Sequence, residues 1–452
     1  MKPPPPAALA PPALGQRLLP WLVGGLLALT LVKFGNPGLF SELLVMPGNS
    51  LEWMFFTWPP VIGYWLLAAV AAVGFATADW RAVRWRWPLA WFGLWLAWQF
   101  LAATTTAEAT LTAKVLPQFL AVAVCLALGY ITLSGRVPAT GLWAGLLVGL
   151  ALVIASGWQQ HFGGLEATRK HFFLYLYPEA KDIPPDLLKR MSSERIFATL
   201  FYPNTLAVAL LLLVPGTLAF LWSCERRLTS GARSFLICVF TLGAAGCLVW
   251  SGSKGGWLIA LGLGFLGALH LPLGRAWKGA LIAVALLGGL GGFAVRYSGY
   301  FERGATSVGA RFDYWRAALQ TTSAHPLLGS GPGTFGPMYA RIKPPDAEMA
   351  RLVHNDYLQQ ASDSGVVGAL AYTGFMAWAL WRAYPRQRDW LRLGAWLGVV
   401  GWAVQSALEF NLYIPAVAWP AFVVLGWLLA CREREPILAT AKPSDTSSHA
   451  AA

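Results

Sequence analysis

The residue best suited to moving a proton is His354, in the string HNDYLQQASDSG. An imidazole exchanges protons near neutral pH, so a histidine at a membrane surface can act as general base toward a hydroxyl. A hydrogen-bonded structural histidine fits the same string. Arg311, in RFDYWRAALQTT (311–322), offers a guanidinium fork matched to phosphate oxygens, with Trp315 and Arg316 beside it. An Arg/Trp pair anchoring a surface helix to headgroups has the same pattern. WSGSKGGWL (250–258) surrounds Lys254, a point charge for phosphate, with small residues that let a bound group approach the backbone. A tight turn with a snorkelling lysine is the alternative. In RIFATLFYPNTLA (195–207), Arg195 stands at an interface and Asn204 lies within an apolar run, where its amide needs a partner. A hydrogen bond in helix packing also meets that need. The GSGPG turn (329–333) has the composition of a backbone nest for an anion. Asp346 and Glu348 alone make a weak metal signal, and the five cysteines show no disulfide or metal spacing. No metal and no cofactor are expected.

Such residues need elements to hold them, and the composition says which. The chain has 452 residues, 56% hydrophobic and 12% charged, with 24 Trp and 47 Gly. Its mean hydropathy is +0.53. Soluble domains carry roughly twice that charged fraction. Apolar runs at about 18–32, 61–77, 87–103, 115–133, 141–158, 196–222, 234–250, 256–270, 279–296, 366–383, 391–409 and 413–430 are long enough to cross a bilayer as helices. The expected fold is all-α, a polytopic membrane protein of about 12 transmembrane helices. Residues 1–17 and 431–452 read as disordered cytoplasmic tails and 18–430 as one transmembrane domain.

The net charge of +13 is spread between these runs rather than gathered in a patch, so nucleic acid is not an expected partner. Alternate short connections hold Arg81, Arg84 and Arg86, then Arg136, then Arg226, Arg227 and Arg233, then Arg275 and Lys278, then Arg382 to Arg392, and last Arg432 and Arg434. The opposite short connections carry little beyond Lys33, Lys114 and Lys254. The positive-inside rule puts the first set in the cytoplasm and the termini with it. Two long connections, about 159–195 and 297–365, then face outward, and long ordered loops are where function concentrates. Within the second, the spacing predicts an amphipathic helix over 311–322, ended by His325 and Pro326, and another helix from near Val353 into the tenth span.

In this order RIFATLFYPNTLA, WSGSKGGWL, the Arg311 to Trp315 segment, HPLLGSGPGTF (325–335) and HNDYLQQASDSGVVG (354–368) resemble the O-antigen ligase and O-antigen polymerase superfamily of bacterial membrane glycosyltransferases. The resemblance covers roughly residues 195–370. It implies transfer of a glycan from an undecaprenyl-diphosphate carrier to an acceptor on the periplasmic face of the inner membrane. Lipid A-core is the favoured acceptor; another lipid-linked glycan, in a polymerase, or a protein such as pilin are the alternatives. It also implies that His354 activates the acceptor hydroxyl, that Arg311 and Lys254 bind the diphosphate, and that Arg195 supports them. Two positions depart from the family pattern: Lys254 stands where Arg is usual, and Asp363 where Glu is common. No paired carboxylates stand out for a double displacement, so an inverting reaction is expected. A transporter or flippase is the rival from another class, but it usually needs ionisable residues near the bilayer midplane, and the spans are nearly free of charge.

Overall fold

The computed structural model describes residues 13–43, 46–80, 83, 86–133, 138–178, 188, 192–302 and 306–440. Most of both expected tails, Arg81, Arg84 and Arg136, and part of the 159–195 connection lie outside the described residues. Every described regular element is helical.

The helices follow the apolar runs. They are α1 (Leu14–Lys33), α2 (Pro60–Thr77), α3 (Trp87–Ala103), α4 (Ala109–Ala127), α5 (Thr140–Gln159), α6 (Pro203–Ser223), α7 (Ser230–Ser251), α8 (Lys254–His270) and α9 (Arg275–Glu302). After α9 come α10 (Thr306–Ala324), α11 (Phe335–Ile342), α12 (Asp356–Ala383), α13 (Trp390–Gln405) and α14 (Pro415–Thr440). Nine of the described helices are long and apolar enough to cross a membrane. Helices α3, α8 and α13 fill three more of the expected runs but have 17, 17 and 16 residues. The structure thus supports a multi-pass membrane protein, with nine helices among the described residues meeting that measure where twelve spans were expected.

Helix α14 is the axis of the bundle: its apolar stretch is 89% buried, and it packs on α1, α4, α12 and α13. Helices α1 and α5 cross at glycines, where a Cβ on Gly145 would lie 2.2 Å from the backbone of Gly24. Such contacts replace the hydrophobic drive that is missing between helices in lipid with close backbone packing. Helix α9 is the opposite case, packing on α8 with an apolar stretch that is 0% buried, so its side chains are left for lipid.

Several expected boundaries move. The sixth run begins at 203 rather than 196, because Pro203 takes the first helical turn and 195–202 stays irregular. The run 391–409 ends its helix at Gln405, leaving Glu409 in a connection to a short turn at Asn411–Tyr413. The 297–365 connection is largely helical: α9 continues to Glu302, and α10 and α11 follow. Helix α10 extends the expected 311–322 helix at both ends, and α12 starts at Asp356, capped by the Asn355 side chain, which accepts from Tyr357 N–H and Leu358 N–H. The last helix passes the expected start of the C-terminal tail and ends at Thr440.

Candidate active site

Glu409 collects the site. Its carboxylate is nearly buried and accepts from three elements: Arg311 Nη2 of α10 at 2.5 Å, Asn204 Nδ2 at the start of α6 at 2.6 Å, and His354 Nδ1 just before α12 at 3.1 Å. Burial pushes the Glu409 carboxyl up, but the charge and hydrogen bond of His354, then Arg311 and Asn204, outweigh it and hold the group below the usual carboxylate range. The His354 ring stacks on Tyr314 and meets Phe410 edge-on, with centroids 5.8 and 4.8 Å apart. With Nδ1 on the carboxylate, Nε2 is the nitrogen left to exchange a proton.

Arg195 extends the network. Its Nη2 donates to Asn204 Oδ1 at 2.8 Å and its Nε to the Ser251 carbonyl at 2.7 Å. Burial lowers the Arg195 pKa, Glu409 and Tyr297 raise it, and Arg311 lowers it further, with a net fall from the ordinary value. The turn that presents Ser251 depends on Gly252, left-handed at φ +61, and on Ser253, whose hydroxyl caps α8 by accepting from Gly256 N–H. Gln160 grips the irregular 195–202 segment from the other side: its Oε1 accepts from Phe197 and Ala198 N–H and its Nε2 donates to the Ala198 carbonyl. Ala198, Phe201 and His354 are the non-glycine residues with left-handed φ among those described. Such backbone strain gathers where surrounding bonds over-determine a functional geometry.

Lys254 lies differently. Its ammonium sits over the rings of Tyr300 and Tyr297, 3.7 and 5.1 Å from their centroids, within electrostatic reach of Arg195, Arg311 and Arg296. The buried Tyr297 hydroxyl and Arg311 Nε have no hydrogen-bond partner among the described residues. Arg195, Arg311, Lys254 and Arg296 thus form a cluster of cations of which Arg311 is paired with Glu409 and Arg195 lies within its electrostatic reach. Among the described residues no group of His, Cys, Asp and Glu could hold a metal ion.

The structure thus brings together His354, Arg311, Asn204, Arg195 and Lys254. It does not bring Arg316, which is exposed and lines with Trp315, Phe312 and Leu319 a groove on the outer side of α10. The glycine-rich turn is no anion nest either: Ser330 and Gly331 N–H donate to the Ser362 and Asp363 carbonyls, and Gly333 N–H to Asp363 Oδ2. Glu409 is the residue of this candidate site that the motifs missed. Its signal was a carboxylate at the very end of the apolar run 391–409, where an ionisable group needs a partner.

Residues 237–373 match the O-antigen ligase family. That match supports the O-antigen ligase and polymerase superfamily for this chain, and with it a membrane enzyme of ligase or polymerase type. The chain has no significant match among curated proteins. The O-antigen ligase segment runs from α7 into α12 and contains Lys254, Arg311 and His354. Arg195, Asn204 and Glu409 lie on either side of it in sequence and reach it through folding.

Proposed function

We propose that the chain moves a glycan from undecaprenyl diphosphate to an acceptor hydroxyl, lipid A-core being favoured, on the periplasmic face of the bacterial inner membrane. The observation that carries this reading is the excess of cations beside a His354–Glu409 pair. Arg311 pairs with that carboxylate, Arg195 lies within electrostatic reach of it, and Lys254 lies within reach of Arg195, Arg311 and Arg296, so the site is complementary to a polyanion such as a diphosphate. All of them lie at the ends of α6 to α13 away from the Arg382, Arg386 and Arg392 end of the bundle, and the positive-inside rule puts that other end in the cytoplasm.

In this reading Glu409 holds the His354 proton on Nδ1, and Nε2 accepts the acceptor's hydroxyl proton as its oxygen attacks the anomeric carbon. The bond from that carbon to the diphosphate breaks, and negative charge grows on the departing phosphate oxygen. Arg195, Arg311 and Lys254 stabilise that charge, and only the part of their interaction that strengthens in the transition state accelerates the step. One displacement inverts the anomeric centre and needs no metal. The apolar carrier lies against the lipid-facing sides of α8 and α9.

Deleting the gene and analysing the glycans tests the reading. Carrier-linked polymer retained, with none on lipid A-core, is the expected result; single-repeat products would mean a polymerase. Unchanged glycans would sink both.

A further inference from the structure

Asp363, the shorter carboxylate that stood out in the sequence, is 0% exposed on α12, away from the cations. It is bonded to both chain segments that carry the reacting pair. On one side Gln359 Nε2 donates to Asp363 Oδ1 at 3.0 Å, while Gln359 Oε1 accepts from Val353 N–H at 2.7 Å, the residue immediately before His354. On the other side Tyr413 O–H donates to Asp363 Oδ2 at 3.0 Å, in the segment that begins with Glu409 and Phe410. Gly333 N–H donates to the same oxygen at 2.8 Å, docking the 329–333 turn. His354 has φ +54, a left-handed conformation uncommon for a residue with a Cβ and retained here by the bonds on either side of it. The bond to Val353 and the Asn355 cap fix the peptides on both sides of it.

We propose that Asp363, acting through Gln359 and Tyr413, is the positioning residue that sets His354 against Glu409. The inference rests on the reading of His354 as the base. Asp363 touches neither substrate nor His354. Its loss frees the 353–355 backbone to relax out of the left-handed region, and the imidazole swings off the Glu409 carboxylate. The glycine turn then has a purpose: its positive-φ residues let Gly333 reach Asp363, and a Cβ on Gly329 would lie 2.4 Å from the Asp363 backbone.

The test uses the full chain in lipid nanodiscs with an undecaprenyl-diphosphate-linked glycan, and reads turnover per folded molecule. Asp363→Asn and Gln359→Leu should lower kcat about 10- to 100-fold, the scale of a misplaced catalytic group, with the donor KM within about two-fold. Asp363→Glu should recover part of the loss, and Tyr413→Phe, which removes one donor, should cost only a few-fold. If Asp363→Asn does not fold, Gln359→Leu and Tyr413→Phe carry the measurement. Wild-type kcat per folded molecule in Gln359→Leu and Tyr413→Phe, with His354→Ala inactive, overturns the positioning role alone. Normal transfer by folded His354→Ala overturns the functional reading instead.

Discussion

Both ends of the helix bundle are rich in arginine, yet they use it differently. At the end that holds the site, Arg195 and Arg311 are held by Ser251, Asn204 and Glu409, and two backbone segments adopt strained conformations around them. At the other end Arg386 and Arg388 are exposed, Arg392 pairs with Asp389 within one helical turn, and Arg382, Arg386 and Arg392 lie within electrostatic reach of Arg432. Mutually repelling cations near water serve a topological role, for which charge matters more than geometry. Cations oriented by buried acceptors serve recognition, for which geometry is the point. The comparison teaches that net charge alone is uninformative here and that the acceptors around each guanidinium tell the two roles apart.

That contrast can be broken by substitution. The largest effect is expected at the base: His354→Ala should lower glycan transfer by about 100-fold or more while the protein inserts normally, measured with a lipid-linked donor in membranes. Next comes Arg311→Lys, which keeps charge and loses the fork. A drop of about 100-fold is expected, and wild-type turnover would show that a point charge suffices there. Glu409 gives a pH signature. Its folded pKa is depressed, so its contribution to stability is complete above the unfolded value and is lost as pH falls below the usual carboxylate range, through the folded one. Glu409→Gln should flatten that acid limb of a thermal-unfolding series, whereas a matching Asp389→Asn should leave it in place. Tyr297→Phe, removing a buried unpartnered hydroxyl, should raise the donor KM only a few-fold. The smallest effect is expected at the far end, where Arg386→Gln should leave turnover within about two-fold.

The residues that proved legible in the sequence were those whose chemistry is unusual for their surroundings. His354, Arg311 and Lys254 are polar groups in an apolar chain; the first two meet at Glu409, and Lys254 lies within electrostatic reach of Arg311. Arg316 follows the same local pattern as Arg311, but α10 leaves it exposed in a groove, while Trp315 lines that groove and packs partly against Tyr314 and its neighbours. Helical phase alone could not say which face of α10 meets the site, because Tyr314, Ala317 and Ala318 are buried by Phe335 and Tyr339 of α11 and by Ala350 and Val353, neighbours that only folding supplies. The GSGPG turn misled because free N–H groups and N–H groups already used by Asp363 look alike in one dimension.

By itself the sequence determined the medium and the helices. Hydropathy over windows of bilayer length is a local property, and all twelve apolar runs contain a helix. It also determined which residue types were available for proton transfer and phosphate binding. Only the tertiary structure decided that Glu409 is their common partner, that Asn204 bridges it to Arg195, and that Asp363 ties its segment to that of His354. The reason is physical: a buried carboxylate is defined by the donors that surround it, and here those donors come from positions as far apart as Asn204, Arg311 and His354.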